Sequence, residues 1–296
     1  YVKNEYYSDD KRPDKSVDLE IALFLKKRNK VFKIEKYIHS YPHCWRTQKP
    51  ILYYPLDSWF IKTTSLKKEM LYLNQFINWK PKSTGKKKFG YWLENLTDWN
   101  LSRSRFWGIP LPIWRTKKGD EEIVIGSIEE LINEIDKSVK EGFMSYNPFK
   151  NFIIGNMSEK NYDSIDLHKH NLDNIILLSK SKKPMIRESD IIDVWFDSGA
   201  MPYAQLHYPF ENQFLIDKKK FFPADFICEG VDQTRGWFFT LHTISCILFN
   251  SISFKNVISN GLVLDKKGKK MSKSRGNTIN PFEIIKKYGP DTIRWY

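Results

Sequence analysis

The spacing of apolar side chains changes several times along this chain, and each change marks an element. Val17, Leu19, Ile21, Leu23 and Phe24 supply the apolar side chains of a short amphipathic helix over 16–25, with Asn29 near its end. Between His39 and Trp59 aromatics and prolines crowd together (Tyr41, Pro42, Trp45, Pro50, Pro55), which predicts short strands and ordered turns. Residues 66–77 read as a helix, 80–88 as a basic loop and 91–99 as a second helix. Pro110 and Pro112 forbid a helix interior, so Trp107–Trp114 is extended. Residues 116–190 are charged and poor in glycine, with a helix over 127–140. The apolar pattern then resumes: 191–196 and 221–228 read as strands. Trp237, Phe238, Leu241, Ile244 and Leu248 make one stripe of a long helix over 234–249. An apolar run over 257–264 follows. Strand, helix and strand in succession predict a parallel α/β unit, and no internal repeat is visible.

Composition narrows the class. The 296 residues are 41% hydrophobic and 15% aromatic, enough for a substantial core and unlike a disordered chain. The net charge of +13 favours polyanionic partners such as RNA or nucleotides, although 38 of the 48 basic residues are lysines, which genome base composition alone can enrich. Cys44, Cys228 and Cys246 are few and far apart; with no CxxC pair, the expectation is a reducing compartment and no zinc site. No apolar run reaches the roughly 18 residues a membrane span needs, so no membrane partner is expected.

Two segments carry chemistry. In Asp265–Asn277, Lys270-Met271-Ser272-Lys273-Ser274 sets two lysines three residues apart among hydroxyls, between glycines, just before a helix start at Asn280-Pro281. Such a loop can close on a polyphosphate. In Ala224–Trp237, a buried strand ends at Glu229-Gly230, a polar turn follows and a helix begins. Ligands of open α/β sheets bind at such carboxyl ends, where helix amides are unpaired. Glu229 can pair with an ammonium group, and Asp232 and Gln233 can hydrogen-bond an amine or a sugar hydroxyl. The plainer reading is that Asp232 caps the helix and Glu229 is merely solvated.

Together these blocks resemble the class I aminoacyl-tRNA synthetases. Glu229-Gly-x-Asp-Gln-x-Arg-Gly-Trp237 and the 270–274 loop with Arg275-Gly-Asn look like the second half of that catalytic domain. Asp193-Val-Trp-Phe-Asp-Ser-Gly199 is similar to the isoleucyl type in particular, of the eukaryotic cytosolic-like kind. So are His39-Ser-Tyr-Pro-His-Cys-Trp-Arg46, Trp92-Leu-Glu-Asn95, Asp98–Arg103, Arg105-Phe-Trp-Gly108 and Asp166-Leu-His168. The resemblance covers most of 39–296.

The resemblance implies an α/β fold: the C-terminal half of a Rossmann-type catalytic domain with an α+β insertion. It divides the chain into the tail of an editing insertion (1–40), part of the catalytic domain (41–115), a connective insertion (116–190), the Rossmann-type core (191–264), and the ATP loop with the start of a helical stem (265–296). Lys270 and Lys273 would act on the ATP phosphates, within an ATP-binding loop of Lys270, Met271, Ser272, Lys273 and Ser274. Glu229, Gly230, Asp232 and Gln233 would hold the aminoacyl-adenylate. Trp195 and Trp237 would wall the isoleucine pocket, where composition alone favours core packing. Arg103, Arg105 and Trp107 read as fold support. The implied partners are isoleucine, ATP with Mg²⁺, and tRNA(Ile), in the cytoplasm, and the resemblance also allows membership of a multi-synthetase complex. Isoleucine and valine differ by one methylene, a limit on selectivity for which this family is itself the usual illustration, so the family edits.

The first nucleotide motif of the family, His-x-Gly-His, does not occur, and the chain starts at Tyr1. The expectation is an internal fragment without the editing pocket, inactive alone. Three other readings remain open: a valine-specific synthetase, a non-catalytic tRNA-binding derivative, and a general nucleotide-binding α/β protein.

Overall fold

The computed structural model describes residues 17–35, 38, 40–44, 49–51, 53, 55–272 and 276–295. These divide into two units, Tyr1–Leu56 and Asp57–Tyr296. In the first, the expected amphipathic helix forms as α1, Val17–Lys27. It ends in a turn through Asn29 at φ 53°, and the Arg28 guanidinium lies 4.1 Å above the Phe24 ring. Further on, His43 and Pro50 make an antiparallel bridge, with Cys44 N–H donating to Lys49 O at 2.8 Å and the Tyr41 hydroxyl to Ile51 O at 2.7 Å. His39, Trp45 and Arg46, parts of the motif expected here, lie outside the described residues.

The second unit opens with β1 (Phe60–Ile61), a 3₁₀ turn (Thr63–Leu66), α2 (Lys67–Asn74) and β2 (Asn78–Lys80). The expected basic loop is largely helical: Thr84–Phe89 form a wide π turn that runs into α3 (Gly90–Glu94). Its anchors are apolar, for Phe89 is fully buried and Gly85 lies against Trp79, where a Cβ would fall 2.2 Å from the indole. The helix expected over 91–99 stops at Glu94. Trp99 instead enters β3 (Trp99–Asn100) opposite Ile61, and its indole donates to Asp193 at 3.0 Å.

After β4 (Ser102–Arg103) come β5 (Ile113–Thr116) and β6 (Glu122–Val124). Then follow α4 (Ile128–Lys140), α5 (Glu159–Tyr162), α6 (Lys169–Leu172), β7 (Ile176–Leu178) and β8 (Pro184–Arg187). The four strands make an antiparallel sheet in the order β6-β5-β8-β7. Ser127 caps α4 by accepting from Glu130 N–H at 3.0 Å. Trp114, Leu131, Ile135, Ile175, Leu177 and Met185 give this segment a core of its own.

The strand expected over 191–196 is two residues long, β9 (Ile191–Ile192), and α7 (Val194–Ala204) takes over. Asp193 causes the switch. Its carboxylate caps α7 through Trp195 N–H and also accepts from Trp99 and from Arg103 at 2.7 Å. Next come α8 (Gln213–Asp217), β10 (Ala224–Gly230), a 3₁₀ turn (Val231–Arg235), α9 (Trp237–Phe249) and β11 (Phe254–Asn260). α10 (Pro281–Tyr288) and α11 (Pro290–Trp295) close the chain, with Asn280 capping α10 as its sequence predicts.

β10, α9 and β11 form the expected parallel unit, and the sheet order is β10-β11-β2. Ile227, Val257 and Trp79 share one face of that sheet, against Phe238, Leu241, Met70 and Leu93. The single stripe expected on α9 is too narrow: Phe238 to Cys246 are all buried, because α2 and α7 pack on the helix as well as the sheet. At the α7 crossing, a Cβ on Gly199 would sit 2.9 Å from both Ile244 and Thr240, so only glycine permits this approach. No helix among the described residues is long and apolar enough to cross a membrane.

Candidate active site

Two helices begin near the carboxyl end of β10. Glu229, exposed, and Gly230, half-buried, finish the strand, and Asp232 and Gln233 sit in the 3₁₀ turn before α9. A Cβ at Gly230 would lie 2.6 Å from Asp232 Oδ1, so a side chain there would displace the Asp232 carboxylate. Asp232 does not cap α9. Gln233 does: its Oε1 accepts from Trp237 N–H at 2.8 Å, while its Nε2 donates to Asp232 Oδ2 at 3.3 Å. The amide orientation is thereby fixed, and the Asp232 carboxylate remains exposed.

The two tryptophans meet at this corner. Trp237 Nε1 donates to Ser198 O of α7 at 2.8 Å, which sets the indole plane between the helices. The edge of Trp195 comes within 3.1 Å of where a Cβ on Gly236 would stand. Trp195 is 41% exposed, whereas Trp237 is half-buried and packs against the main core. Asp197, one turn along α7, has its carboxyl pushed above the usual range by burial and then by the nearby Asp193 charge. Sequence reasoning overlooked Ser198 and Gly236, although a glycine next to each tryptophan motif was a readable sign of close approach.

The lysine loop leaves the neighbouring strand. Gly230 and Asn260 are paired in register, so the polar turn and the loop emerge from the same end of the sheet. A polar clip holds the base of the loop. Asp265 Oδ1 accepts from the N–H groups of Lys267 and Lys269, both at 2.9 Å, and Oδ2 accepts from Asn277 Nδ2 at 2.8 Å. Asn277 Oδ1 in turn accepts from Ser272 N–H at 2.9 Å. Gly268 and Gly276 take φ of 70° and 64°, the left-handed values that favour glycine. Lys270 is exposed and its backbone pairs with Leu264; Met271 and Ser272 are half-buried. Lys273, Ser274 and Arg275 lie outside the described residues.

Thus Glu229, Gly230, Asp232, Gln233, Trp195 and Trp237 gather around one corner, and Lys270, Met271 and Ser272 stand on a loop rising from the adjacent strand. Arg103 supports the fold as read, through Asp193 and the carbonyls of Asn100 and Ser102. Trp107 does something else: it is exposed and stacks on His168 with ring centroids 4.2 Å apart. Asp166 holds that histidine at 2.6 Å, and the resulting hydrogen bonds keep the Asp166 carboxyl below its usual range. Among the described residues this arrangement sets no nucleophile beside a general base. It offers acidic and amide groups for a polar head, flat indole walls for an apolar side chain, and lysine on a polar-clipped loop.

Comparison with known proteins defines the class. The family model of tRNA synthetases class I (I, L, M and V) matches residues 5–296. The chain belongs to that family, and its parallel α/β core is of the Rossmann type. Isoleucine–tRNA ligase of Bacteroides fragilis is 61% identical over 100% of this chain and 26% of its own length. The Porphyromonas gingivalis protein of the same name is 62% identical with the same coverage. That of Thermus thermophilus is 47% identical over 92% of this chain and 24% of its own. The chain therefore spans about a quarter of the length of these relatives.

Proposed function

We propose that this chain carries the second half of the active site of an isoleucine–tRNA ligase. The observation that bears most weight is the corner at the end of β10, where a fixed amide, two exposed carboxylates and two indole walls lie together in a chain 61% identical to proteins of that name. In the proposed reaction the isoleucine carboxylate attacks the α-phosphorus of ATP and displaces pyrophosphate. A hydroxyl of the terminal ribose of tRNA(Ile) then attacks the carbonyl carbon of the adenylate, forming the ester and releasing AMP.

Glu229 and Asp232 hold the substrate ammonium, Gln233 orients the adenylate, and Trp195 with Trp237 excludes water from the side chain. Lys270 and Lys273 offset charge developing on the triphosphate, an interaction stronger in the transition state than in the ground state. Neither step needs a protein nucleophile, so positioning supplies most of the acceleration. Among the described residues no trio of His, Cys, Asp or Glu could hold an ion, and Mg²⁺ would be carried by the triphosphate oxygens. The domain boundaries named above, a cytoplasmic location and tRNA(Ile) as partner belong to the same proposal.

The test is pyrophosphate exchange by the full-length protein with isoleucine and valine in parallel. Exchange strongly favouring isoleucine is expected. Exchange favouring valine, or none with either amino acid, rejects the reading.

A further inference from the structure

The π turn at 84–89 lies well away in sequence from the motifs just described, and it builds a second concave surface. Trp79 Nε1 donates to Asn74 Oδ1 at 2.9 Å, and Asn74 Nδ2 donates to Gly85 O at 3.2 Å, so α2, β2 and the turn are locked together. Between them is a cavity of about 630 Å³. Its wall combines three kinds of group. Phe76 is 57% exposed, with Tyr72 edge-on to it at a centroid distance of 5.0 Å. The Gln75 carboxamide is exposed and makes no hydrogen bond among the described residues. Lys82 and Lys86 are exposed and pair with no carboxylate among the described residues, and Glu94 is the one acidic side chain on the wall. Lys87 and Lys88 continue the charge along the turn.

A flat exposed ring, an uncommitted carboxamide and unpaired ammonium groups are what one unpaired nucleotide needs: a stacking platform, an edge to read and a phosphate anchor. An acidic protein segment would meet the lysines but make no particular use of the ring and amide together. π turns are also rare and recur at functional positions.

We propose that this cavity is an RNA subsite that takes one unpaired nucleotide, its base on Phe76 and its phosphate between Lys82 and Lys86. Lys87 and Lys88 meet the flanking phosphates. The inference rests on this surface and does not require the adenylation reading. None of these residues belongs to the corner at β10.

The test uses the full-length protein and a tRNA(Ile) transcript, with dissociation constants measured between 50 and 200 mM salt. Lys82→Ala combined with Lys86→Ala should weaken binding and reduce the slope of log affinity against log salt by about 0.7 to 0.9, the value for one neutralised phosphate. Phe76→Ala should weaken binding about tenfold and leave that slope unchanged, as loss of stacking without loss of charge. Isoleucine-dependent pyrophosphate exchange should be unaltered in both variants. Wild-type affinity and slope in both overturn the proposal and leave the surface to an acidic protein segment. A loss confined to the lysine variant also overturns it, because diffuse charge would suffice. If the unaltered protein shows no exchange, the enzymatic reading fails, and the two binding measurements still decide the subsite.

Discussion

Two segments of this chain are rich in lysine and glycine, yet they are built in opposite ways. In Lys80–Lys88, buried anchors run beneath the charges: Trp79 and Phe89, at either side, sit in the main core, Thr84 and Gly85 are buried, and the lysines ride on the turn between them. In Asp265–Asn277 no described residue is buried, and two polar side chains, Asp265 and Asn277, bind backbone amides and each other. Composition does not separate these cases. What separates them is whether apolar residues fall at intervals that reach the core. The first design suits a fixed surface. The second suits a loop that must rearrange around a ligand, since local opening costs little where few apolar contacts are lost.

The contrast can be broken from the core side. Trp79→Ala removes the floor of the π turn, and a large-to-small change of this kind costs about 3–5 kcal/mol. The thermal unfolding midpoint should fall sharply, and hydrogen exchange should show 84–89 opening while 265–277 is unchanged. Equal loosening of both segments would mean that they share one cooperative support.

Acid should sharpen it. His242 is fully buried, packs edge-on to Phe89 at 5.5 Å and donates from Nε2 to Met70 O, while its Nδ1 has no hydrogen-bond partner among the described residues. Burial pulls its pKa from 6.5 down to about 4, against a smaller opposing effect of the Met70 bond. Because the unfolded chain binds more protons between those values, this stabilisation is complete above pH 6.5 and is lost as pH falls toward 4. The loss amounts to up to about 3 kcal/mol, at 1.4 kcal/mol per pH unit. His242→Gln should flatten that part of the stability curve; an unchanged curve would remove the histidine from the explanation.

The smallest effect on stability is expected on the polar side. Asp265→Ala should alter the unfolding free energy by less than about 0.5 kcal/mol, because the residue is not in the core. Amide protection at Lys267 and Lys269 should nevertheless vanish, and the rate of adenylate formation by the full-length protein should drop. A stability loss comparable to that of Trp79→Ala would make the loop part of the core.

The sequence carried the α/β unit in legible form because strand, helix and strand each had a pattern of its own, and the β10 corner was legible as a strand ending in Glu229-Gly230. It failed where a single long-range bond decided the matter. The run 191–196 looks like a strand, and nothing nearby says that Asp193 will meet Trp99 and Arg103 some ninety positions earlier and start a helix. Likewise Asp232 read as the cap of the helix that follows, whereas the structure gives that role to Gln233, whose Oε1 accepts from Trp237 N–H beyond Gly236. The lysine loop was legible from the spacing of its lysines between glycines, while the clip that holds it joins residues 12 positions apart and has no local period.

The sheet order β10-β11-β2 leaves one long side of β10 without a strand partner among the described residues. Phe226 and Ile258 stand exposed on the sheet beside that edge. For anyone handling these 296 residues as a reagent, this is a matter of solubility. A seven-residue hydrogen-bonding edge with apolar neighbours is a template on which another copy can add a strand. Concentration, rather than temperature, is then the condition to control first, and a charged residue in place of Phe226 is the simplest safeguard.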